Sequence, residues 1–425
     1  MLAWLVVVVV AVIWGTLDIA PDPSQAVPAA PFMGRWRLDL RLALLPAAAL
    51  GFLVVVCGPR VAGALPGRRL VVTSALTAAA WAALLAVSRG WDRLTAPLTT
   101  AHEYEPFAAR ISDVGAFVRG FTEDLPGYPT HVRGHPPGAP LVFWALDRLG
   151  LPGAGWAALL VVLAWGVAVG AALVTLHAVG GEGAARQAAP MLTVLPAAIW
   201  AGTSFDSFLA AVVGVGTCLV VLAAVTPPRS HHPPRPTAGA VLALAGGAVL
   251  GVAIHLSYGA APLLLVPVAV LAVRRALAPL LWACLGGIAV VAAFTALGFW
   301  WPTGLAATRL EYVSGIASHR SWSYFTFAGN PGALLVSTGP AWLVGLASLR
   351  REVLPRWAPA LGALAAVVLA DASGLSKAEV ERIWLPFVPL LALFAGAVPA
   401  RLRRPLLVGQ VVLALVVQAA LASPW

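Results

Sequence analysis

Long apolar runs constrain this chain more than any other feature of its sequence. They recur along all 425 residues and are bounded by charge, proline or glycine. Each measures roughly 17–25 residues, the length of a helix that crosses the hydrocarbon core of a bilayer. Hydrophobic residues make up 60% of the chain and charged residues only 10%, whereas a soluble domain is about half apolar. The sequence therefore predicts an all-α fold, a polytopic transmembrane helix bundle.

The apolar runs predict about 13 spans. Their approximate limits are 2–17, 41–57, 70–88, 154–178, 186–204, 205–226, 238–256, 258–273, 276–300, 331–349, 357–371, 384–400 and 405–423. A long polar stretch separates the third run from the fourth. We therefore expect an N-terminal three-span segment (1–88), an outer loop with interfacial helices (89–153) and a C-terminal transmembrane bundle (154–425).

The distribution of arginine predicts the orientation. With the N-terminus inside, the short inner loops hold fourteen arginines against two acids, Glu182 and Glu352. This excess follows the positive-inside rule. The net charge of +10 therefore indicates a membrane surface and its lipids as partners, and no nucleic acid. We expect a multi-pass protein of the cell membrane with a cytoplasmic N-terminus. The first run is interpreted as a retained anchor, with a cleaved signal peptide as the alternative.

The least membrane-like stretch is residues 128–138, which holds two histidines, an arginine and three prolines. Unpaired polar backbone is costly in lipid, so this stretch must lie outside the hydrocarbon or in a water-filled cavity. His131, Arg133 and His135 alternate, and in an extended segment they would point the same way and could bind a phosphate or a metal. The alternative is a turn that ends the loop and starts an interfacial helix at residues 139–150.

Three acids precede the His135-Pro-Pro-Gly motif by about twenty to thirty residues: Glu103, Glu105 and Asp113. A carboxylate near a membrane surface can take a proton from an acceptor hydroxyl, or hold a divalent cation beside a phosphate. The alternative is a solvated helical face, since apolar residues follow helical spacing between Glu103 and Val118. No other cofactor is expected, and the need for a divalent cation stays open.

Two later loops supply basic and aromatic residues that suit a phosphorylated sugar. Arginine grips phosphate oxygens with a planar fork, and aromatic faces stack on sugar rings. The alternatives are an interfacial aromatic belt and surface ion pairs, which contribute little to stability. The candidates are Arg309, His319, Arg320, Tyr324, Lys377 and Arg382. Asp206, His255 and Tyr258, near span ends, are weaker candidates. The first polar loop, residues 18–40, is Pro-rich and reads as a simple loop.

These residues resemble a known family. Acids in a large outer loop (Glu103, Glu105, Asp113), with Tyr104 and Tyr128 and then His135-Pro-Pro, are similar to the GT-C superfamily of membrane glycosyltransferases, in particular its protein-mannosyltransferase and aminoarabinose-transferase-like branch. The resemblance implies an inverting transfer of a sugar from a polyprenyl-phosphate donor to an acceptor on the outer face, with an outer-loop acid as base. It implies substrate contacts from Tyr104, Tyr128, His131, Arg133, His135, Arg309, His319, Arg320, Tyr324, Lys377 and Arg382.

The chain departs from that family in two ways. Three spans precede the long loop where the family has one, and the acidic pair expected after the first span is missing, because Ile19 follows Asp18. Which of the three acids is the base is therefore open. A lipid or small-molecule transporter is the competing class, and it would need ionisable residues deep inside spans. A catalytically silent membrane scaffold is the third alternative.

Overall fold

The computed structural model describes residues 1–226 and 238–425. The proline-rich linker predicted at 227–236, with His231 and His232, lies outside the described residues. The helices of the first half are α1 (Leu2–Trp14), α2 (Leu45–Ala64), α3 (Gly67–Val87), α4 (Tyr104–Ala108), α5 (Val114–Gly120), α6 (Thr130–Arg133), α7 (Gly138–Arg148), α8 (Ala154–Gly180), α9 (Glu182–Thr193), α10 (Ala198–Ala201) and α11 (Asp206–Val225).

The second half continues the helical pattern. Its helices are α12 (Ala238–Leu256), α13 (Leu265–Arg274), α14 (Leu277–Ala296), α15 (Trp301–Ser314), α16 (Trp322–Tyr324), α17 (Asn330–Thr338), α18 (Ala341–Ala347), α19 (Ala358–Ala372), α20 (Val380–Ile383), α21 (Val388–Leu391) and α22 (Ala400–Ala420). Two-residue strands, β1 (Arg35–Trp36) and β2 (Leu421–Ala422), pair antiparallel. The predicted all-α polytopic fold is confirmed.

Within the described part of the chain, nine helical segments are long and apolar enough to cross a membrane: Leu2–Ile19, Leu42–Ala64, Gly67–Val87, Ala154–Gly180, Asp206–Val225, Ala238–Leu256, Leu277–Ala296, Leu354–Ala372 and Ala400–Ala420. Most residues of helices α8 and α11 are buried, whereas few residues of α14 are fully buried. The largest cluster of buried side chains draws on all three predicted regions of the chain. The division into those regions stays a prediction.

The other four predicted spans are interrupted helices. The run 186–204 is α9 and α10, separated at Pro196, and the run 331–349 is α17 and α18, separated at Gly339 and Pro340. The runs 258–273 and 384–400 likewise contain 3-10 turns beside their α-helices. The apolar runs alone could not predict where these helices are interrupted, because a single proline can break a helix while the run around it stays apolar. The total number of crossings stays a prediction.

Neighbouring helices donate or accept the hydrogen bonds that the backbone around the interruption between α9 and α10 would otherwise lack. The Trp81 indole N–H donates to the carbonyl of Leu195 at 3.2 Å, and the Gln410 amide donates to the carbonyl of Met191 at 2.6 Å. The backbone N–H of Ala197 donates to the carbonyl of Ser337, at the end of α17, at 2.8 Å. Irregular backbone at membrane depth is stable only where protein groups satisfy it in this way.

Helices α12 and α14 touch through glycine. A Cβ added to Gly247 would collide with the carbonyl of Ala283, and one added to Gly286 would collide with the carbonyl of Leu244. Small residues at such positions let two helix backbones approach closely, which is how membrane helices associate when lipid is as apolar as their own side chains.

Replacing Gly286 by alanine is therefore expected to lower the free energy of unfolding by about 1–3 kcal/mol, since the two backbones must separate. The measurement is the unfolding midpoint of the purified protein in detergent. Gly409 in α22 is the matched control, because nothing lies within 4 Å of a Cβ added there. Alanine at Gly409 should be neutral or stabilising by up to about 1 kcal/mol. Equal midpoints for the Gly286 variant and the wild type would contradict the close packing.

Five segments of the chain contact one another and form a layer that we call the loop face (residues 18–40, 89–150, 301–330, 371–383 and 421–425). Gln25 donates to the carbonyl of His319, and the backbone N–H of Met33 donates to Glu381. Arg93 donates to the carbonyl of Ser423. Segments far apart in sequence therefore form one layer, and this layer holds the polar cluster described next.

Candidate active site

Glu103 and His131 are in close contact, largely buried, at the loop face. Glu103 immediately precedes α4, and His131 lies in α6. The backbone N–H of His131 donates to the carbonyl of His102 at 3.1 Å. His131 Nδ1 is 2.8 Å from Glu103 Oε1, and the two side chains are 13% and 8% exposed. Burial pushes the pKa of Glu103 upward, but His131 and the charge of Arg382 outweigh it and leave that pKa below its ordinary value. Glu103 is therefore a carboxylate at neutral pH.

His135 lies beside this pair and contacts Tyr104. Its Nδ1 is 2.8 Å from the Tyr104 hydroxyl and 2.9 Å from the carbonyl of His131. Burial lowers the pKa of His135, so the ring is neutral near pH 7. Its Nδ1 then either donates to the carbonyl or accepts from the tyrosine. The extended geometry considered for residues 131–135 is wrong: residues Thr130–Arg133 form a helical turn, and this turn brings His135 onto the His131 carbonyl.

Arg382 is a buried arginine whose charge acts on Glu103. Its Nη1 is 3.2 Å from Asp206 Oδ2 and its Nη2 is 3.4 Å from Glu379 Oε2. The indole of Trp425 covers the guanidinium plane, with 4.4 Å between Cζ and the ring centroid. The same indole lies 6.3 Å from the His131 ring, centroid to centroid. Trp425 thus joins the half of the cluster around Glu103 to the half around Arg382.

Arg320 is the second buried cation. Its Nη2 is 3.1 Å from Glu379 Oε1, and its Nη1 donates to the carbonyl of Lys377 at 2.7 Å. Lys377 in turn donates its ammonium to the carbonyls of Ser318 and Arg320. The two loops predicted to bring basic residues to a phosphate are therefore tied together through Arg320.

The first loop is part of the same layer, so its interpretation as a simple loop is wrong. The Gln25 side chain accepts from the backbone N–H of Ser321 at 2.7 Å, and the backbone N–H of Met33 donates to Glu381 Oε1 at 2.7 Å. Glu381 is fully buried, and its Oε2 has no hydrogen-bond partner among the described residues. A proline-rich composition does not reveal such contacts, because they are made largely by backbone groups.

Burial raises the pKa of Glu381 from 4.5 to about 7. A group that binds more protons in the folded protein lowers stability as pH rises, here between pH 4.5 and about 7. Glu381→Gln, a neutral isostere, should therefore unfold at a higher temperature than the wild type at pH 8 and at a similar temperature at pH 4.5. Melting curves at both pH values measure the difference. The exposed Glu123 is the control site. A Glu381→Gln difference that is the same at both pH values would contradict this.

The structure brings together five of the predicted site residues: Glu103, Tyr104, His131, His135 and Arg382. Arg320 and Lys377 join them through Glu379. Arg133 is paired instead with Glu311 at 3.5 Å, and Arg309 and His319 are exposed. Tyr324 is buried against the first helix, where its hydroxyl donates to the carbonyl of Ala11. Tyr128 packs in an aromatic group with Phe107 and Phe121.

The other two candidate acids lie apart from this cluster. Asp113 is exposed and caps α5 by accepting from the backbone N–H of Ala116 at 2.8 Å. Glu105 is on the turn after Glu103, where burial and then Asp147 raise its pKa. Which acid acts stays a prediction, but Glu103 is the one of the three that shares a cluster with Arg382.

Sequence reasoning underrated four members of the cluster. Asp206 had a signal, since an acid that begins a long apolar run lies at a helix N-terminus, where it is stabilised. Glu379 and Glu381 were visible only as part of a charged loop. Trp425 had no signal at all: pairing of β2 with β1, through Trp36↔Leu421 and Arg35↔Ala422, carries it back to the loop face.

Comparison with solved structures identifies the class of fold. The chain aligns with the oligosaccharyltransferase of Archaeoglobus fulgidus in its apo form at a TM-score of 0.50 and 11% identity, covering 84% of this chain and 56% of that one. ArnT from Cupriavidus metallidurans aligns over 71% of this chain at a TM-score of 0.42, with 20% identity and 56% of its length covered in the apo state, and 19% and 57% when bound to undecaprenyl phosphate. No family model matches the chain, and neither does any curated protein.

At these identities the likeness is one of fold. This chain spans little more than half the length of the structures that it resembles. The likeness in fold to the archaeal oligosaccharyltransferase agrees with the fold that the sequence resemblance led us to expect. The chain is a helical membrane protein with a buried cluster of acids, histidines and arginines at its loop face.

Proposed function

We propose that this protein is a membrane glycosyltransferase that transfers a sugar from a polyprenyl-phosphate donor to an acceptor at the outer face of the cell membrane. The observation that carries the proposal is the buried Glu103–His131 pair in one cluster with Arg382. A carboxylate held beside a cation, at the end of an apolar bundle, suits a reaction between a lipid-bound sugar and a polar acceptor.

In this mechanism Glu103 takes the proton of the acceptor hydroxyl. The hydroxyl oxygen bonds to the anomeric carbon as the bond from that carbon to the phosphate oxygen breaks, which inverts the configuration. Negative charge accumulates on the departing polyprenyl phosphate, and Arg382 and Arg320 stabilise it. Preorganised charge of this kind is usually the largest contribution to catalysis. The prenyl tail remains among the apolar helices.

The remaining candidates have supporting roles in this proposal. Tyr104 and His135 would orient the sugar or its phosphate, and Lys377 would hold Arg320 in place through its backbone carbonyl. Tyr128, His131, Arg133, Arg309, His319 and Tyr324 stay proposed substrate contacts. A bound divalent cation is not part of the proposal. The loop face lies outside the cell in this proposal and the N-terminus inside, as the arginine distribution predicts.

The test is turnover of a polyprenyl-phosphate sugar by the purified protein in lipid vesicles. We expect release of polyprenyl phosphate together with a glycosylated acceptor, and loss of both when Glu103, Glu105 and Asp113 are replaced together by alanine. Turnover that survives the triple replacement would contradict the assignment of any of these three acids as the base. Movement of the labelled lipid across the vesicle membrane without sugar transfer would instead favour the transporter.

A further inference from the structure

Glu379 bridges the two buried arginines of the cluster. Its Oε1 is 3.1 Å from Arg320 Nη2, and its Oε2 is 3.4 Å from Arg382 Nη2. Other groups hold both arginines in place, the Lys377 carbonyl in one case and Asp206 with Trp425 in the other. Two guanidinium groups that converge on the two oxygens of a carboxylate form an anion site. A phosphate group also presents negatively charged oxygens that two guanidinium groups can bind.

Glu379 is the least firmly held member of this site. Its side chain is 25% exposed, against 6% for Arg320 and 5% for Arg382. Among the described residues its carboxylate hydrogen-bonds only to these arginines. The backbone is left-handed at Ala378 (φ 68°) and Glu379 (φ 62°), a conformation that costs about 1–2 kcal/mol per residue outside glycine.

Charge balance favours exchange of anions over addition of one. Glu103, Asp206 and Glu379 already face two arginines, so a further anion would meet excess negative charge. If the incoming phosphate replaces the Glu379 carboxylate, one anion takes the place of another. Arg382 Nε adds a donor for the newcomer, since it is buried and has no hydrogen-bond partner among the described residues. Such an unsatisfied donor gains by meeting an acceptor.

We propose that Glu379 is a displaceable counter-ion: it occupies the Arg320–Arg382 site in the free protein, and the phosphate group of a phosphate ester displaces it on binding. That the ester is a polyprenyl phosphate rests on the function proposed above. After sugar transfer the returning carboxylate competes with the product phosphate for the two arginines and so promotes its release.

The test compares binding of farnesyl phosphate to the wild type and to Glu379→Gln in detergent, by calorimetry. The neutral variant should bind about three- to tenfold more tightly, because no carboxylate competes. Farnesol should bind both proteins alike, and an inorganic phosphate arm shows whether the prenyl chain is needed. Glu182→Gln, which also removes a carboxylate from an arginine at 2.5 Å, is the control and should leave the affinity unchanged. Equal or weaker binding by a folded Glu379→Gln protein would overturn the proposal.

A second measurement needs no variant. Carbodiimide labelling of the wild type, read by mass spectrometry, should increase several-fold at Glu379 when farnesyl phosphate is added, and not when farnesol is added. Unchanged or reduced labelling would also overturn the proposal. Both readouts are independent of sugar transfer. If Glu379→Gln binds farnesyl phosphate more tightly but the wild type transfers no sugar, the counter-ion proposal stands and the proposed function fails. If the wild type transfers sugar but neither the affinity nor the labelling changes, the proposed function stands and the counter-ion proposal fails.

Discussion

Glu103→Gln should lower the kcat of sugar transfer by about 10²–10⁴-fold, the range by which a general base accelerates a reaction. Glutamine keeps the shape of the side chain but cannot accept the acceptor proton. The KM for the lipid donor should change little, because Arg320 and Arg382 are intact. The measurement is steady-state turnover in vesicles, together with a melting curve that shows that the variant is folded.

Glu105→Gln is the matched control for this prediction. It lies two residues from Glu103, in the same loop, and contributes nothing to the cluster around Arg382. Its kcat should stay within about threefold of the wild type. A loss at Glu105 as large as that at Glu103, or none at Glu103, would pass the role of base to another of the three acids.

The pH dependence of the reaction gives an independent readout of the same group. Because the pKa of Glu103 is lowered from 4.5, the carboxylate form persists to acidic pH. Activity that depends on this carboxylate should therefore be present at neutral pH and be lost only as pH falls below about 4.5. A loss of activity already at pH 6 would indicate a different base, such as His131.

Arg382→Met should destabilise the protein by about 3–5 kcal/mol, the usual result of removing one partner from a buried ion pair. The two side chains of the Arg382–Asp206 pair are 5% and 8% exposed. Without the guanidinium, Asp206 and Glu379 lose the cation that they share. Trp425 also loses the group on which it stacks. The measurement is the free energy of unfolding in mixed detergent.

The second half of this experiment is a double-mutant cycle with Asp206→Asn. The double variant should lose less free energy of unfolding than the sum of the two single variants, because it leaves neither charge of the Arg382–Asp206 pair buried without its partner. Arg41→Met is the control: its pair with Asp39 has a similar distance of 2.8 Å but is 48% and 22% exposed, and such pairs contribute about 0–1 kcal/mol. Additive effects in the cycle, or equal losses at Arg382 and Arg41, would contradict the buried pair.

The candidate site illustrates how far local pattern can reach. His131, His135 and Glu103 were recognisable because polar groups in so apolar a chain must be satisfied somewhere. Their partners were not recognisable. The Glu103–His131 pair spans 28 positions and the Arg382–Asp206 pair spans 176, and no periodicity in the sequence relates such positions.

The sequence by itself determined the class of protein, because lipid restricts a spanning chain to a small set of structures and the length of each apolar run reports the thickness of the bilayer. It also predicted that the functional residues lie in the loops, since nearly all the charge is at span ends and in loops. Only the tertiary structure decided which loops meet. Packing of the helices brings the ends of α11 and α19, the segment after α22 and the first loop to one face, and there Asp206, Glu379, Trp425 and Glu381 complete a site that the long acidic loop only begins.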